Sequence, residues 1–385
     1  MDAVSKSEAR RRSVWLDGDA GDLDTFLAQI GTATDPADWP LAAEIVQNIP
    51  VYDGRVVARA AGEAEGRAEL TAEWAALLSD GPGVLVIKGA IADTAVIDQA
   101  TRVFEALIEA ERAAGGGGGD HFAKPGANDR VWNAAEKHCL ADPRNFAAYF
   151  ATDAVALVSE AWLGPGYQVT AQVNRVNPGG AAQMPHRDYH LGFMSPAEAA
   201  AWPAHAHALS PVLTLQGAIA HCDMPVETGP TMLLPYSQIL REGYLAFARP
   251  EFQAAFAERH VQVPLDKGDA VFFNPALMHG AGENKTSDIR RMANLLQVSS
   301  AFGRAIESVD RAAMARALYP VLLGARRSGD LGDRAIANIV AASAEGYAFP
   351  TDLDRNPPVG GMAPASMAKR MLAALEAGSE TFEAR

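Results

Sequence analysis

The chain has 385 residues, 49% of them hydrophobic, and a formal net charge of −14. That suits a globular protein with an ample core, as one large domain or two ordinary ones. A field of that sign repels nucleic acid and anionic membranes as general partners, and no apolar run reaches membrane-spanning length. The two cysteines, Cys139 and Cys222, have no metal-type spacing and cannot build a disulfide framework. The basic N-terminus lacks the apolar stretch of a signal peptide, so a reducing, cytoplasmic compartment is expected.

Residues 1–65, rich in Ala and Asp, read as a peripheral helical extension. "LTAEWAALLSDGPGVLVIKGAI" then reads as helix, Gly-Pro turn and buried strand. Ile97, Ala100, Phe104, Leu107 and Ile108 recur at steps of three and four and predict an amphipathic helix, capped by Asp93 or Thr94. The glycine run at 115–119 ends it as a mobile loop. "DHFAKPGANDRVWN" offers Phe122, Trp132 and Asn133 as substrate contacts, or simply a surface loop with a buried Trp anchor. Residues 143–163 return to helix.

From 167 to 300 the texture is short strands between Gly/Pro turns, the signature of a barrel or sandwich. Beyond 303, Leu/Ala-rich helices read as packing elements or as the face of a homodimer. The expected organisation is α+β: an N-terminal extension over 1–65, a β domain over 66–302, and helices over 303–385 packed on it.

"MPHRDYHLGF", residues 184–193, concentrates chemistry in the β region. In a strand, alternate side chains share a face, so His186 and Asp188 point together and Arg187 points away. One imidazole and one carboxylate are two thirds of a 2-His-1-carboxylate site for non-heme iron(II), which leaves coordination positions open. By itself H-x-D also fits an ion pair on an edge strand. A second histidine is available from "LDKGDAVFFNPALMHGAGENKTSDIRRMANLLQVSS", where His279 follows the strand "AVFFN". Arg290 and Arg291 alternate in facing, so one of them points where His279 points and can hold a carboxylate bidentately.

H-x-D at 186–188, G-D-x-x-x-F at 268–273, H-x-x-G-x-N at 279–284 and an arginine eleven residues past the distal histidine together resemble the phytanoyl-CoA dioxygenase family. "SDGPGVLVIKGAI" is similar to the family's opening strand, and "ETGPTMLLPYSQ" to its segment between the iron motifs, where Thr228, Tyr236 and Gln238 depart from the pattern. The resemblance covers about residues 66–302. It implies a double-stranded β-helix (jelly roll) wrapped by the terminal helices, and an oxygenase using Fe(II), 2-oxoglutarate and O₂. It implies His186, Asp188 and His279 as iron ligands and Arg290 as partner of the distal 2-oxoglutarate carboxylate, with Gln183 and Thr231 at positions that touch the co-substrate. Gln172 and Asn174 alternate on the preceding strand and can also point inward. Because Asp188 is a carboxylate, unlike the small residue of related halogenases, hydroxylation or a related oxidation of a small organic molecule is the expected outcome.

Two other functions fit the same residues: a zinc- or manganese-dependent hydrolase or isomerase, and a non-catalytic metal-binding jelly roll. His190 reads equally as a pocket residue or as a half-buried strand histidine. His205 and His207 form H-x-H in a Pro/Ala segment and read as structural, as do His121, His138, His221 and His260. Met184, Phe193 and Trp202 read equally as core.

Overall fold

The computed structural model describes residues 3–114, 126–348, 354 and 357–384. The glycine run at 115–119, His121 and Phe122 lie outside the described residues. Among the described residues, ten strands make two sheets. They are β1 (Glu44–Val46), β2 (Ile49–Asp53), β3 (Val84–Lys88), β4 (Asn128–Val131), β5 (Gln168–Val176), β6 (Thr214–Ala220), β7 (Met232–Leu233), β8 (Ala270–Phe273), β9 (His279–Gly280) and β10 (Arg291–Ser299). The larger sheet has the spatial order β1-β2-β3-β8-β6-β10-β5-β4, and the smaller pairs β7 with β9. Every pairing is antiparallel except β2 with β3.

β1 and β2 come from the stretch expected to be helical. They form a two-residue hairpin in which Gln47 and Asn48 both take positive φ, +50° and +68°. Such a turn matches the twist of its strands. Ile49 and Val51 are then buried between the sheets.

The larger sheet is covered on both faces. On one, Val169, Ala171 and Val173 of β5 and Met292, Leu296 and Val298 of β10 join an apolar cluster with the helices. Helices 311–328, 333–343 and 367–376 contribute Met314, Leu318, Ile339 and Met371 to that cluster, so the C-terminal region shares the core. On the other face, Val84, Val86, Ala220 and Val271 pack with Leu233 and Leu277 from the smaller-sheet side. The result is an α+β fold with a double-layered β core of jelly-roll type, wrapped by helices.

Helix Thr94–Ala113 forms as the periodicity predicts: Asp93 accepts from the Ala95 N–H, and Ile97, Ala100, Phe104 and Ile108 are buried. The helical stretch at 143–163 divides into Pro143–Phe150 and Asp153–Leu163, bent by 63°. Thr152 caps the second piece. No single helix among the described residues is long and apolar enough to cross a membrane.

Two of the motif turns are structural. Gly268 has φ +94°, and a Cβ there would lie 2.5 Å from the Ile91 carbonyl oxygen, so only glycine fits. Asp269 accepts from the Gly89 and Asp266 N–H groups, both at 2.7 Å, and pairs with Lys88 at 2.5 Å. Asn284 donates to the carbonyls of Val176 (3.1 Å) and Ile289 (2.8 Å), tying the loop after β9 to the start of β10.

Candidate metal centre and its cavity

The 184–193 segment is extended but is not a full strand; one bridge joins His186 to His279. The His186 N–H donates to the His279 carbonyl (2.9 Å) and the His279 N–H returns to His186 (3.0 Å). Gln183 N–H to Ala281 (2.9 Å) and Asp188 N–H to Pro275 (2.9 Å) extend the pairing. His279 therefore sits on its own short strand β9, beyond a turn after β8 that Asn274 closes by accepting from the Ala276 N–H at 2.8 Å.

Alternation works across this bridge as it does in a strand. Arg187 points away into the protein and is buried. Its guanidinium donates to the carbonyls of Leu240 (3.2 Å) and Ser237 and lies 5.8 Å from the Tyr244 ring. The Tyr244 hydroxyl donates to the Asp188 carbonyl at 3.0 Å. The side chains of His186 and Asp188 face the other way, toward His279.

His186 Nδ1 lies 2.9 Å from the Met184 carbonyl oxygen, and His279 Nδ1 2.8 Å from that of Leu277. A carbonyl only accepts, so each Nδ1 carries a proton, and in the neutral ring Nε2 is then the atom with the free lone pair. Those nitrogens lie 3.6 Å and 3.9 Å from the two oxygens of Asp188. One ligand atom from each of the three residues falls within 4.8 Å of the others. Burial, with His186 alongside, pushes His279 below the usual histidine value, which favours the neutral ring at neutral pH. Two imidazoles and one carboxylate, with the Nδ1 protons held by the backbone, fit iron(II).

The three residues line a cavity of about 290 Å³ between the sheets. Of the two adjacent arginines, it is Arg291 and not the expected Arg290 that lines it. Arg290 is exposed and borders a separate surface hollow with Arg112 and Arg175. Arg291 is only 6% exposed and lines the cavity. Its guanidinium donates to the Thr228 (3.2 Å) and Gly282 (3.4 Å) carbonyls, and burial lowers it to about 10, still cationic at pH 7. The cause is strand parity: Met292, Leu296 and Val298 pack on the helices, so Arg291, Ala293 and Leu295 face the cavity. Gly282 is three residues past His279, so at most about 11 Å of extended chain separates the backbone partner of the guanidinium from that imidazole's residue.

Gln183, Thr231, Gln172 and Asn174 all line the cavity. Gln183 accepts from the Ala281 N–H at 3.2 Å. Gln172 and Asn174 accept from Arg130 (2.6 Å) and Asn128 (3.3 Å) of the edge strand β4. Trp132 lines the cavity too, with Arg130 stacked 4.8 Å from its ring. Asn133 is instead a turn residue with φ +52°, its N–H donating to Glu307 at 2.7 Å. Met184, Phe193 and Trp202 are exposed rather than core. Phe193 borders the cavity with its ring 5.9 Å from that of His186.

Gln216 of β6 escaped sequence reasoning: it lines the cavity and donates to Asp188 Oδ2. Its one signal was an amide in an otherwise apolar strand, "TLQGAIA".

The remaining histidines divide. His190 lines the cavity, with Nδ1 2.8 Å from the Thr214 hydroxyl. His205 and His207 lie on helix Ala204–Leu209, one exposed and one buried, so the H-x-H pair cannot converge on a metal. His221 bonds to Tyr149 (2.9 Å) and Thr101 (2.8 Å), and His138 to Asn145 (2.7 Å), in the helical layer. Of the residues that depart from the family pattern, Tyr236 takes φ +66° with its hydroxyl 2.9 Å from that of Thr34. Gln238 donates to the Gly81 carbonyl at 2.8 Å, and Thr228 to that of Pro225 at 2.8 Å.

A jelly-roll core holding two imidazoles, one carboxylate and a buried arginine in one cavity defines a 2-His-1-carboxylate protein. Residues 79–292, more than half of the chain, match the family model described as phytanoyl-CoA dioxygenase (PhyH), and the chain belongs to that family of oxidoreductases, which use Fe(II), 2-oxoglutarate and O₂. It is 28% identical over 123 residues to the dioxygenase trt7 of Aspergillus terreus, a match spanning 31% of this chain and 36% of that protein, about a third of its length. Among solved structures it is similar to the non-heme alpha ketoglutarate dependent epimerase SnoN from nogalamycin biosynthesis: 22% identity, 61% of this chain, 84% of that one, TM-score 0.42. The carbocyclase SnoK from the same biosynthesis matches at 21% identity, 61% and 86% coverage and TM-score 0.44. Likeness of that degree says nothing about which reaction this chain performs.

Proposed function

We propose that this chain is a cytoplasmic Fe(II)- and 2-oxoglutarate-dependent dioxygenase that hydroxylates a C–H bond of a small organic molecule. The observation that carries the reading is one cavity lined by His186, Asp188, His279 and the buried Arg291, with the ligand atoms of the first three close together. When bound, iron(II) with 2-oxoglutarate and O₂ would supply the oxidising power, the co-substrate being decarboxylated to succinate and CO₂. The protein's part is to hold and to position. His186, Asp188 and His279 hold one face of the metal. Arg291, fixed by two carbonyls, presents its remaining N–H groups to the distal carboxylate of 2-oxoglutarate, with Thr231 and Gln183 alongside. Gln172 and Asn174, tied to β4, belong on this reading to the wall that meets the substrate, and Phe193 and Trp132 keep water from the opening.

A metal-dependent hydrolase on the same triad has no use for a buried arginine at that distance. Intact protein supplied with Fe(II) and 2-oxoglutarate in air should release succinate slowly even without its substrate, and Arg291→Ala should suppress that release. Neither succinate nor measurable 2-oxoglutarate binding would return the protein to the hydrolase or non-catalytic readings.

A further inference from the structure

We propose that Gln216 is a positioning residue of the metal centre. Its amide nitrogen holds Asp188 Oδ2, so that Asp188 meets the cation through Oδ1. The inference rests on the metal-centre reading above and goes beyond it by assigning a residue outside the ligand triad.

Three observations carry it. Gln216 is 5% exposed and stands mid-strand in β6, between Gln297 of β10 and Phe273 of β8, so its backbone is held on both sides. Its Nε2 donates to Asp188 Oδ2. Its Oε1 is buried, with no hydrogen-bond partner among the described residues. An ionised carboxylate only accepts, so the NH₂ must face Asp188 and the oxygen must face the other way. Burying an amide in an apolar strand is unfavourable unless its hydrogen bonds are made. Here one half is satisfied by Asp188, and the other half has no partner among the described residues, so the contact to Asp188 is what fixes the amide.

The test uses the intact chain and cobalt(II) alone, with no co-substrate. Gln216→Met keeps the length and removes both hydrogen-bonding functions; Gln297→Met makes the same change one strand away. Cobalt affinity is read by titration, coordination by the visible cobalt absorption, and folding by thermal unfolding. The expected result is a loss of about 10- to 100-fold in cobalt affinity for Gln216→Met, the usual range when a partner of a metal ligand is removed, with altered cobalt absorption, a retained melting temperature and an unaffected Gln297→Met. Affinity within twofold of wild type overturns the inference. So does an equal loss in both variants that tracks a lower melting temperature, because packing then accounts for it. A wild-type chain that binds no cobalt overturns the metal-centre reading and this inference with it.

Discussion

His186 and His279, far apart in the sequence, exchange both of their backbone hydrogen bonds and bring their rings within 4.6 Å. The two imidazoles are thus placed by the main chain, and each ring is then oriented by its own Nδ1 contact to a carbonyl two residues earlier. Such a pair needs little rearrangement to take up a cation.

The first consequence concerns the ligands. Protein with Fe(II) and 2-oxoglutarate under argon should show a weak visible charge-transfer band. His279→Ala and His186→Ala should each remove it, while leaving the backbone bridge intact and the melting temperature little changed. A band that survives either substitution would exclude that histidine as a ligand.

Arg290 and Arg291 give a sharper contrast, because one residue of register separates them. Arg291→Ala should weaken 2-oxoglutarate binding by about 2–5 kcal/mol, the range for truncating one partner of a buried charge pair. Arg290→Ala, at an exposed position, should change it by less than about 0.5 kcal/mol. Calorimetric titration of both variants distinguishes them, and the reverse order would mean that β10 is slipped by one.

Arg187 holds the segment that carries Asp188. A Cβ at Gly243 would lie 1.9 Å from the Arg187 guanidinium, so Gly243→Ala must displace a buried cation pushed down to about 10 by burial. The expected cost is about 1–3 kcal/mol of stability, as for other overpacked sites, with metal affinity falling in parallel. Urea unfolding and cobalt titration measure the two effects. Stability retained in Gly243→Ala would show that Arg187 can move without loss.

Acid should destabilise the fold through the helical layer. Burial lowers His138 to about 4 and His221 to about 3, from 6.5. Above about pH 6.5 both are neutral whether the chain is folded or unfolded, and neither makes stability depend on pH. Below it the unfolded chain binds protons that the folded chain refuses. Stability then falls as pH drops toward the folded values, by at most about 1.4 kcal/mol per pH unit for each histidine. Urea unfolding between pH 7 and pH 4.5 should show this slope, and His221→Gln should make it shallower.

Much of the site was legible in order along the chain. His186 and Asp188 are two residues apart, and that spacing already puts them on one side of any extended backbone. His279 was legible as a candidate through its neighbouring turn motifs, whose Gly268, Asp269 and Asn284 build the turns around it. The arginine was not legible. "RRMANLLQVSS" begins with two arginines, and β10 has apolar residues on both faces, so alternation alone assigns no inward face. Gln216 was invisible for a related reason: nothing in β6 indicates that its strand crosses opposite Asp188.

The sequence by itself determined what local spacing can carry: the amphipathic helix at 94–113, the change to short strands after 167, the H-x-D pair and the glycine turns that only one residue type can make. Tertiary structure alone decided which arginine enters the cavity, that residues 44–53 extend the sheet, and which amide meets Asp188. Those are matters of register and of sheet packing, set by contacts between segments distant in the chain, and a pattern repeating every second residue carries no information about which of its two faces will find the core.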